Sequence, residues 1–255
     1  MLLSTASWPE VERYLARSRG IVIPIGSHEQ HGPNGLTGTD AICPEVIAQE
    51  AGLEDGVMVA PTFNVGQAQH HLGFPGTISL RPSTMIAALQ DWIASLSRHG
   101  FQRIYFLNGH GGNVATINAA FSEAYATWSY RGEPAPFVCT QRNWWELQGV
   151  GELCRKLFPT GDGSHATASE VSVTYYRYPE AVKRVTMTPK IAPNGPIRDA
   201  ADYRQRFPDG RIGSDPSQAT PELGAQIVAA ARKGMIADVR AFFGEPTDTL
   251  TPPQI

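Results

Sequence analysis

The chain has 255 residues, 42% of them hydrophobic and 18% charged, with a formal net charge of -3. That balance leaves no electrostatic footprint for nucleic acid or an anionic membrane, and no apolar run approaches the length of a bilayer-spanning helix. Its three cysteines, Cys43, Cys139 and Cys154, are far apart and none has CxxC spacing, which argues against a disulfide framework and for a reducing cytoplasm.

The N-terminal stretch is broken by Trp8-Pro9 and acidic residues and does not read as a secretory signal. Residues 8–19 read as a helix packed by Val11, Tyr14 and Leu15, and Ile21 to Ile25 as the first strand. Pro24 inside that strand argues against a central ladder position. Pro44 suits the first turn of a helix closed by Gly52. Val57 to Phe63 reads as a second strand, followed by a turn-rich loop, Asn64 to Thr77, that carries His70 and His71. Ile86, Leu89, Ile93 and Leu96 recur at helical spacing before Gly100. A third strand, Arg103 to Leu107, runs into the glycine turn NGHGGN at 108–113. Val114, Ile117, Phe121, Ala124 and Trp128 mark the next helix, and Phe137 to Thr140 a fourth strand. The loop GDGSHATA leads into a helix that reaches about Tyr176 and stops at Pro179. Residues 190–220 are rich in Pro, Gly and Asp and read as a long ordered loop or arm with no linker to a second domain. Thr220-Pro221-Glu222 opens a last helix to about Phe243, with Gly224 and Gly234 weakening its continuity. Strands alternating with helices predict a largely parallel sheet covered on both faces, with ligands beyond the carboxyl ends of the strands.

Three stretches at such positions carry chemistry. The first, IVIPIGSHEQHGPNGLTGTD, holds Glu29, His31 and Asp40 within twelve residues. Glu29 and His31 project to the same side of an extended backbone, and the turn formers between His31 and Asp40 can fold the aspartate back. Carboxylates with an imidazole suit Zn, Mn or Fe; the alternative is a solvated loop with incidental charges. The second is His110, flanked by glycines that allow close backbone approach to a ligand, or else an exposed turn histidine. In the third, DGSHATASE, His165 and Glu170 straddle a helix start. They read either as a proton shuttle and a metal ligand or as a capping residue and a dipole-complementing carboxylate. His28 and His99 read as non-functional, and His71, near the FPGT stretch, as a candidate substrate contact ahead of His70.

The combination of GSHEQHGPNGLTGTD, FPGT, NGHGGN and the His165–Glu170 stretch resembles the creatininase (creatinine amidohydrolase) family from about residue 8 to 243. The resemblance implies a single α/β domain spanning 1–255, built as a three-layer α/β/α sandwich with a largely parallel sheet. It implies two divalent metal ions (Zn, Mn or Fe), a hexamer, and hydrolysis of non-peptide C–N bonds in a small cyclic or linear amide. By position, Glu29 and His110 would bind one metal, His31 the other, and Asp40 both, with His165 as the family's catalytic histidine. Gly111, Trp144, Trp145 and Asp162 fall at substrate-binding positions. Two departures stand out. Creatininase has a glutamate ligand where this chain has Gly112, and a stacking tryptophan where it has Gly161. The first leads to the expectation that Glu170 completes the His31-side metal, since three protein ligands are typical of a catalytic zinc. The second speaks against creatinine as substrate. Relatives within the family also include deformylases of a pyrimidine intermediate and peptidases that trim a cofactor precursor. A kept fold with metal binding but no catalysis is the remaining alternative. The implied reaction is attack of a metal-activated water on an amide carbonyl, with His165 delivering a proton to the leaving nitrogen. Neither a nucleophile elbow nor a cysteine with a neighbouring histidine offers a covalent route.

Overall fold

The computed structural model describes residues 1–244. Four parallel strands form a sheet in the order β2-β1-β3-β4, with β1 Gly20–Ile25, β2 Met58–Val59, β3 Arg103–Asn108 and β4 Val138–Asn143. Side-chain alternation along β1 and β3 creates the two cores. Ile21, Ile23, Ile25, Ile104 and Phe106 face a layer built from α1 (Trp8–Leu15), α3 (Pro82–Arg98) and α4 (Val114–Ser129). Val22, Tyr105 and Leu107 face the opposite layer. That layer is α2 (Thr39–Asp55), α5 (Val150–Leu157), α6 (Ala168–Arg177) and α8 (Pro221–Gly244). The result is the expected three-layer α/β/α sandwich.

Local chemistry explains the element boundaries and the places where they differ from expectation. A capping box between Ser7 and Glu10 starts α1. Pro24 is tolerated in an internal strand, against expectation, because β2 ends at Val59, below it. The Pro24 carbonyl accepts from Phe63 N–H (2.9 Å) on the β2 side, so its absent N–H points where the partner chain has already left the ladder. For the same reason the expected second strand, 57–63, is only two residues long, and Phe63 rejoins β1 through an isolated bridge to Ile25. In α8, Gly224 and Gly234 mark close packing, not breaks: added Cβ atoms would stand 2.0 Å from Ser172 O and 2.8 Å from Gln148 O.

Helix α2 begins at Thr39, five residues before Pro44, so Asp40 lies in its first turn. Pro44 cannot donate to the carbonyl four residues back, that of Asp40. This carbonyl instead packs on Gly26 and Gly109, just past β1 and β3, where Cβ atoms would sit 2.1 and 1.9 Å from it. The two glycines let the first turn of α2 drop onto the carboxyl ends of both strands. The 190–220 segment contains a helix, α7 (Ala200–Arg206), started by Asp199, whose side chain accepts from Ala201 and Asp202 N–H. Buried Arg211 ties this arm down by donating to the carbonyls of Lys190, Ser214 and Pro189 (2.9, 2.9 and 2.8 Å). No helix among the described residues is long and apolar enough to cross a membrane.

Candidate metal centre

The loop after β1, the first turn of α2, the turn after β3 and the start of α6 converge at the carboxyl edge of the sheet. Glu29, His31, Asp40 and His110 are all buried there. His31 Nε2 lies 2.8 Å from Asp40 Oδ1, and His110 Nδ1 lies 2.9 Å from Asp40 Oδ2. Glu29 Oε2 is 3.4 Å from His110 Nε2, and Glu170 Oε1 is 3.9 Å from His31 Nε2. Ligand-type atoms of Glu29, Asp40 and His110 lie within 4.8 Å of one another, as do those of His31, Asp40 and Glu170. Asp40 is common to both groups, one carboxylate oxygen toward each imidazole.

Backbone carbonyls orient the rings. His31 Nδ1–H donates to Glu29 O (3.1 Å) and His110 Nε2–H to Gln67 O (3.0 Å). Each ring thereby presents its other nitrogen to Asp40, the arrangement that fixes a metal-ligating histidine. Ser27 Oγ–H donates to Glu29 Oε2 (2.7 Å). The turn after β3 is held by Asn113, whose Nδ2 donates to Gly26 O (2.9 Å), and by Asn108, whose Nδ2 donates to His110 O (2.7 Å).

Charge is concentrated in this small volume. Burial raises the Glu29 carboxyl, with His110 opposing and Asp40 adding to the rise. Burial favours the acid form of Asp40 as well, but His31 and His110 outweigh it and hold this carboxyl well below its usual range. Burial lowers His31 and His110, yet Asp40 and the other carboxylates push them up to about 10 and about 9. Burial is also the main cause that lifts Glu170 to about 7 and takes His71 down to about 2. Burial and the neighbouring His31 and His71 take His165 well below its ordinary value.

The donor set fits divalent metal. Imidazole and carboxylate ligands of this kind suit Zn, Mn and Fe. Two buried carboxylate oxygens, Glu29 Oε1 and Asp40 Oδ2, receive no well-formed hydrogen bond, although imidazole nitrogens stand 2.9 Å from each. In effect, protons on His31 and His110 supply positive charge that cations would supply when bound.

The other residues singled out in the sequence fall in and around one cavity of about 540 Å³, lined by His71, Gly111, Trp144, Trp145, Asp162 and His165 among others. His165 Nε2–H donates to Gln30 O (2.8 Å), leaving Nδ1 directed at the cluster, 3.8 Å from Glu29 Oε1. Its position also permits ligation together with Glu29 and His31. Glu170 lies in the first turn of α6 and also faces the cluster. It is the third helical residue of a capping box with Thr167, whose N–H donates to Glu170 Oε1 (2.6 Å), and it faces His31 as well. Asp162 accepts from Ser169 N–H and Oγ–H (2.9 and 3.1 Å). Trp144 is buried with its indole N–H unpaired. His71 is buried with Nε2 2.9 Å from Glu29 Oε1, so it meets a carboxylate at the cavity wall. His28 points away, its ring 3.3 Å from Thr37 Oγ1.

Several cavity residues were not anticipated. Pro196, Ile197, Tyr203 and Ile212 come from the arm. His70, ranked below His71 in the sequence, also lies on the wall, its ring stacked toward that of His110. Gln30 and Gln67 were passed over between stronger ligand types. The Asp199 cap of α7 was the one local signal that the arm is structured. Room for a carboxylate at 112 is also absent: a Cβ there would stand 2.4 Å from His110 Nε2.

The family model described as creatinine amidohydrolase matches residues 4–239. The chain belongs to the creatininase family. Over 186 residues it is 29% identical to creatinine amidohydrolase of Pseudomonas putida, covering 69% of this chain and 71% of that protein. Over 246 residues it is 28% identical to mycofactocin precursor peptide peptidase of Mycolicibacterium smegmatis, covering 91% and 88%. The crystal structure of creatinine amidohydrolase superposes with a TM-score of 0.85 at 25% identity, covering 96% of this chain and 98% of that one. This creatininase-family hydrolase therefore carries its buried His, Asp and Glu cluster on the shared fold.

Proposed function

We propose that the protein is a metal-dependent amidohydrolase that cleaves an amide-type C–N bond in a small cyclic or linear amide. The observation that carries this reading is the pair of three-residue ligand groups sharing Asp40. Glu29, Asp40 and His110 would hold one ion, and His31, Asp40 and Glu170 a second, drawn from Zn, Mn or Fe. Such a pair supplies Lewis acidity toward a carbonyl and lowers the pKa of water.

The chain's own groups do the rest. His165 Nε2 faces a carbonyl that can only accept, so its proton sits there and Nδ1 is bare. Nδ1 can take a proton from the attacking water and pass it to the leaving nitrogen, which is a poor leaving group as an anion. Trp144, Trp145 and Gly111 form one wall for the substrate. No lysine or arginine lines the cavity among the described residues, which favours a neutral amide over a carboxylate-bearing substrate. Asp162 offers an acceptor to an amide N–H.

A peptide substrate is the second reading. It is favoured by the peptidase relative, which aligns over 91% of this chain against 69% for creatinine amidohydrolase. Composition and cysteine use support a cytoplasmic setting, the uninterrupted family match supports one catalytic domain, and membership supports a homo-oligomer, a hexamer by resemblance. The test is metal analysis of protein purified without chelator, followed by a panel of cyclic amides, formamides and short peptides. Two equivalents of metal and chelator-sensitive cleavage within the panel are expected. Failure to take up Zn, Mn or Fe, or hydrolysis undiminished by chelation, would overturn the proposal.

A further inference from the structure

Gln30 lies between two candidate ligands, and its buried carboxamide reaches three other parts of the chain. Gly32 N–H donates to Gln30 Oε1 (2.8 Å), which fixes the oxygen toward its own loop and turns the NH₂ outward. Around Nε2 stand Gly210 O at 2.9 Å, Tyr203 Oη at 3.1 Å, His71 Nδ1 at 3.1 Å and His165 Nε2 at 3.0 Å.

Donor counting narrows these contacts. His165 Nε2 carries its own proton, because its other partner is the Gln30 carbonyl. It therefore cannot accept from the amide. Tyr203 Oη–H donates to Gly210 O (2.8 Å). His71 Nε2 faces the Glu29 carboxylate at 2.9 Å, so that nitrogen holds the proton and Nδ1 is the acceptor. One amide hydrogen thus goes to Gly210 O on the arm, and the other is directed to His71 Nδ1 on the cavity wall and Tyr203 Oη, each 3.1 Å away. Packing supports the same junction. Gly210 has φ +83°, and a Cβ there would stand 1.9 Å from Gln30 Oε1.

We infer that Gln30 is a positioning residue that couples the arm of residues 195–212 to the tautomer of His71, and through His71 to the Glu29 carboxylate. One donor group holds the arm that brings Ile197, Tyr203 and Ile212 to the cavity, and also holds the His71 Nε2 edge beside Glu29 Oε1, 2.9 Å away. Loosening the arm therefore loosens the carboxylate. The coupling rests on side-chain geometry alone; only its consequence, placement of a ligand, depends on the proposed metal-hydrolase reading.

The test uses full-length ¹⁵N-labelled protein reconstituted with Zn²⁺ alone. The His71 ring nitrogens are followed by long-range ¹H–¹⁵N correlation, and residues 195–212 by amide exchange. Gln30→Leu removes the donor, and Gly210→Ala disturbs the junction from the arm side. Both variants should move the His71 Nδ1 resonance away from its hydrogen-bonded position. Both should speed exchange in 195–212 by about tenfold, the size expected when one or two net hydrogen bonds are lost. Gly111→Ala, where a Cβ meets nothing within 4 Å, should do neither. An unchanged His71 spectrum in Gly210→Ala, or unchanged arm exchange in Gln30→Leu, overturns the inference. If Gln30→Leu does not fold, Gly210→Ala decides alone. Metal stoichiometry on parallel samples offered Zn²⁺, Mn²⁺ or Fe²⁺ separates the two readings: no uptake of any of the three in wild type with coupling intact would sink the metal proposal and leave this one standing.

Discussion

Glu170→Gln separates a ligand from a cap. Glu170 Oε1 accepts from Thr167 N–H at 2.6 Å and lies 3.9 Å from His31 Nε2. Glutamine keeps the length and an acceptor oxygen, and it is an accepted capping-box residue. The cap should therefore lose well under the roughly 0.5–2 kcal/mol that removing a cap costs, and metal-free stability should hardly move. The metal reading predicts something larger. Without the carboxylate, the second ion would keep only His31 and Asp40 from the protein, one short of the three ligands typical of a catalytic zinc. Loss of an outer hydrogen-bonding partner lowers metal affinity by about 10–100-fold, so a direct ligand should cost more than about 100-fold. Equilibrium dialysis in a buffered metal series, read by elemental analysis, should show stoichiometry falling from two toward one, with denaturant midpoints of the apo forms almost superposed. Two ions retained with affinities within about tenfold of wild type would refute the reasoning and leave Glu170 as a cap.

Three further outcomes follow from the same geometry. His165→Ala should lower kcat by about 10²–10⁴-fold, the usual size for general acid–base catalysis, with metal content intact; loss of an ion would instead make Nδ1 a ligand. Creatinine should be a poor substrate in a steady-state assay, because Gly161, at φ +76° with Asp215 and Gln218 atoms 3.2 Å from any Cβ, offers no aromatic face; turnover matching that of the true substrate would refute this. Chelation should lower the thermal midpoint, since ions bound only to the native state stabilise it by about 2.7 kcal/mol at a hundred times Kd, and added Zn²⁺ or Mn²⁺ should restore it.

The parts of this fold legible in sequence were those set by short-range pattern. The apolar runs before GSHEQ and NGHGG became the two central strands, and the loops after them supplied Glu29, His31 and His110 to one place, as the rule for carboxyl ends of parallel strands requires. What local pattern could not show depended on tertiary contact. Pro44 looked like a first-turn proline, but α2 starts earlier because the Asp40 carbonyl it leaves unbonded is seated on Gly26 and Gly109. Pro24 looked like an edge signal, yet its strand is central because the neighbouring strand stops short. Helix α5 showed no signal strong enough to mark it. The arm looked irregular because its order comes from a buried arginine donating to distant carbonyls, which no periodicity records. Gln30 was invisible for the same reason: the partners of its NH₂ group lie 41 to 180 residues away.

Gly112 tests how tightly the turn after β3 is bound to the metal chemistry. The glycine replaces a glutamate of creatininase, and the simplest account, a vacancy that another carboxylate fills, leaves out what occupies the space. A Cβ on residue 112 would stand 2.4 Å from His110 Nε2 and 3.0 Å from Gln67 O. These are the two atoms whose 3.0 Å hydrogen bond leaves His110 Nδ1 toward Asp40. Contacts under 3.0 Å do not persist, so the ring or the carbonyl must move, and a ring turned from Gln67 no longer presents Nδ1 to Asp40. Gly112→Ala should therefore weaken binding of the ion proposed for Glu29, Asp40 and His110 by about 10–100-fold, the range for disturbing a ligand's orienting partner. It should spare the His31-side ion. Residue 112 has no positive φ, so backbone strain adds nothing to the effect. Gly111→Ala, one residue away and facing open space, should bind both ions as wild type does. Competition with a zinc-responsive chelator would resolve the two affinities. Equal affinities in Gly112→Ala and Gly111→Ala would show that His110 does not depend on the room left at 112, and the glycine would then need another explanation.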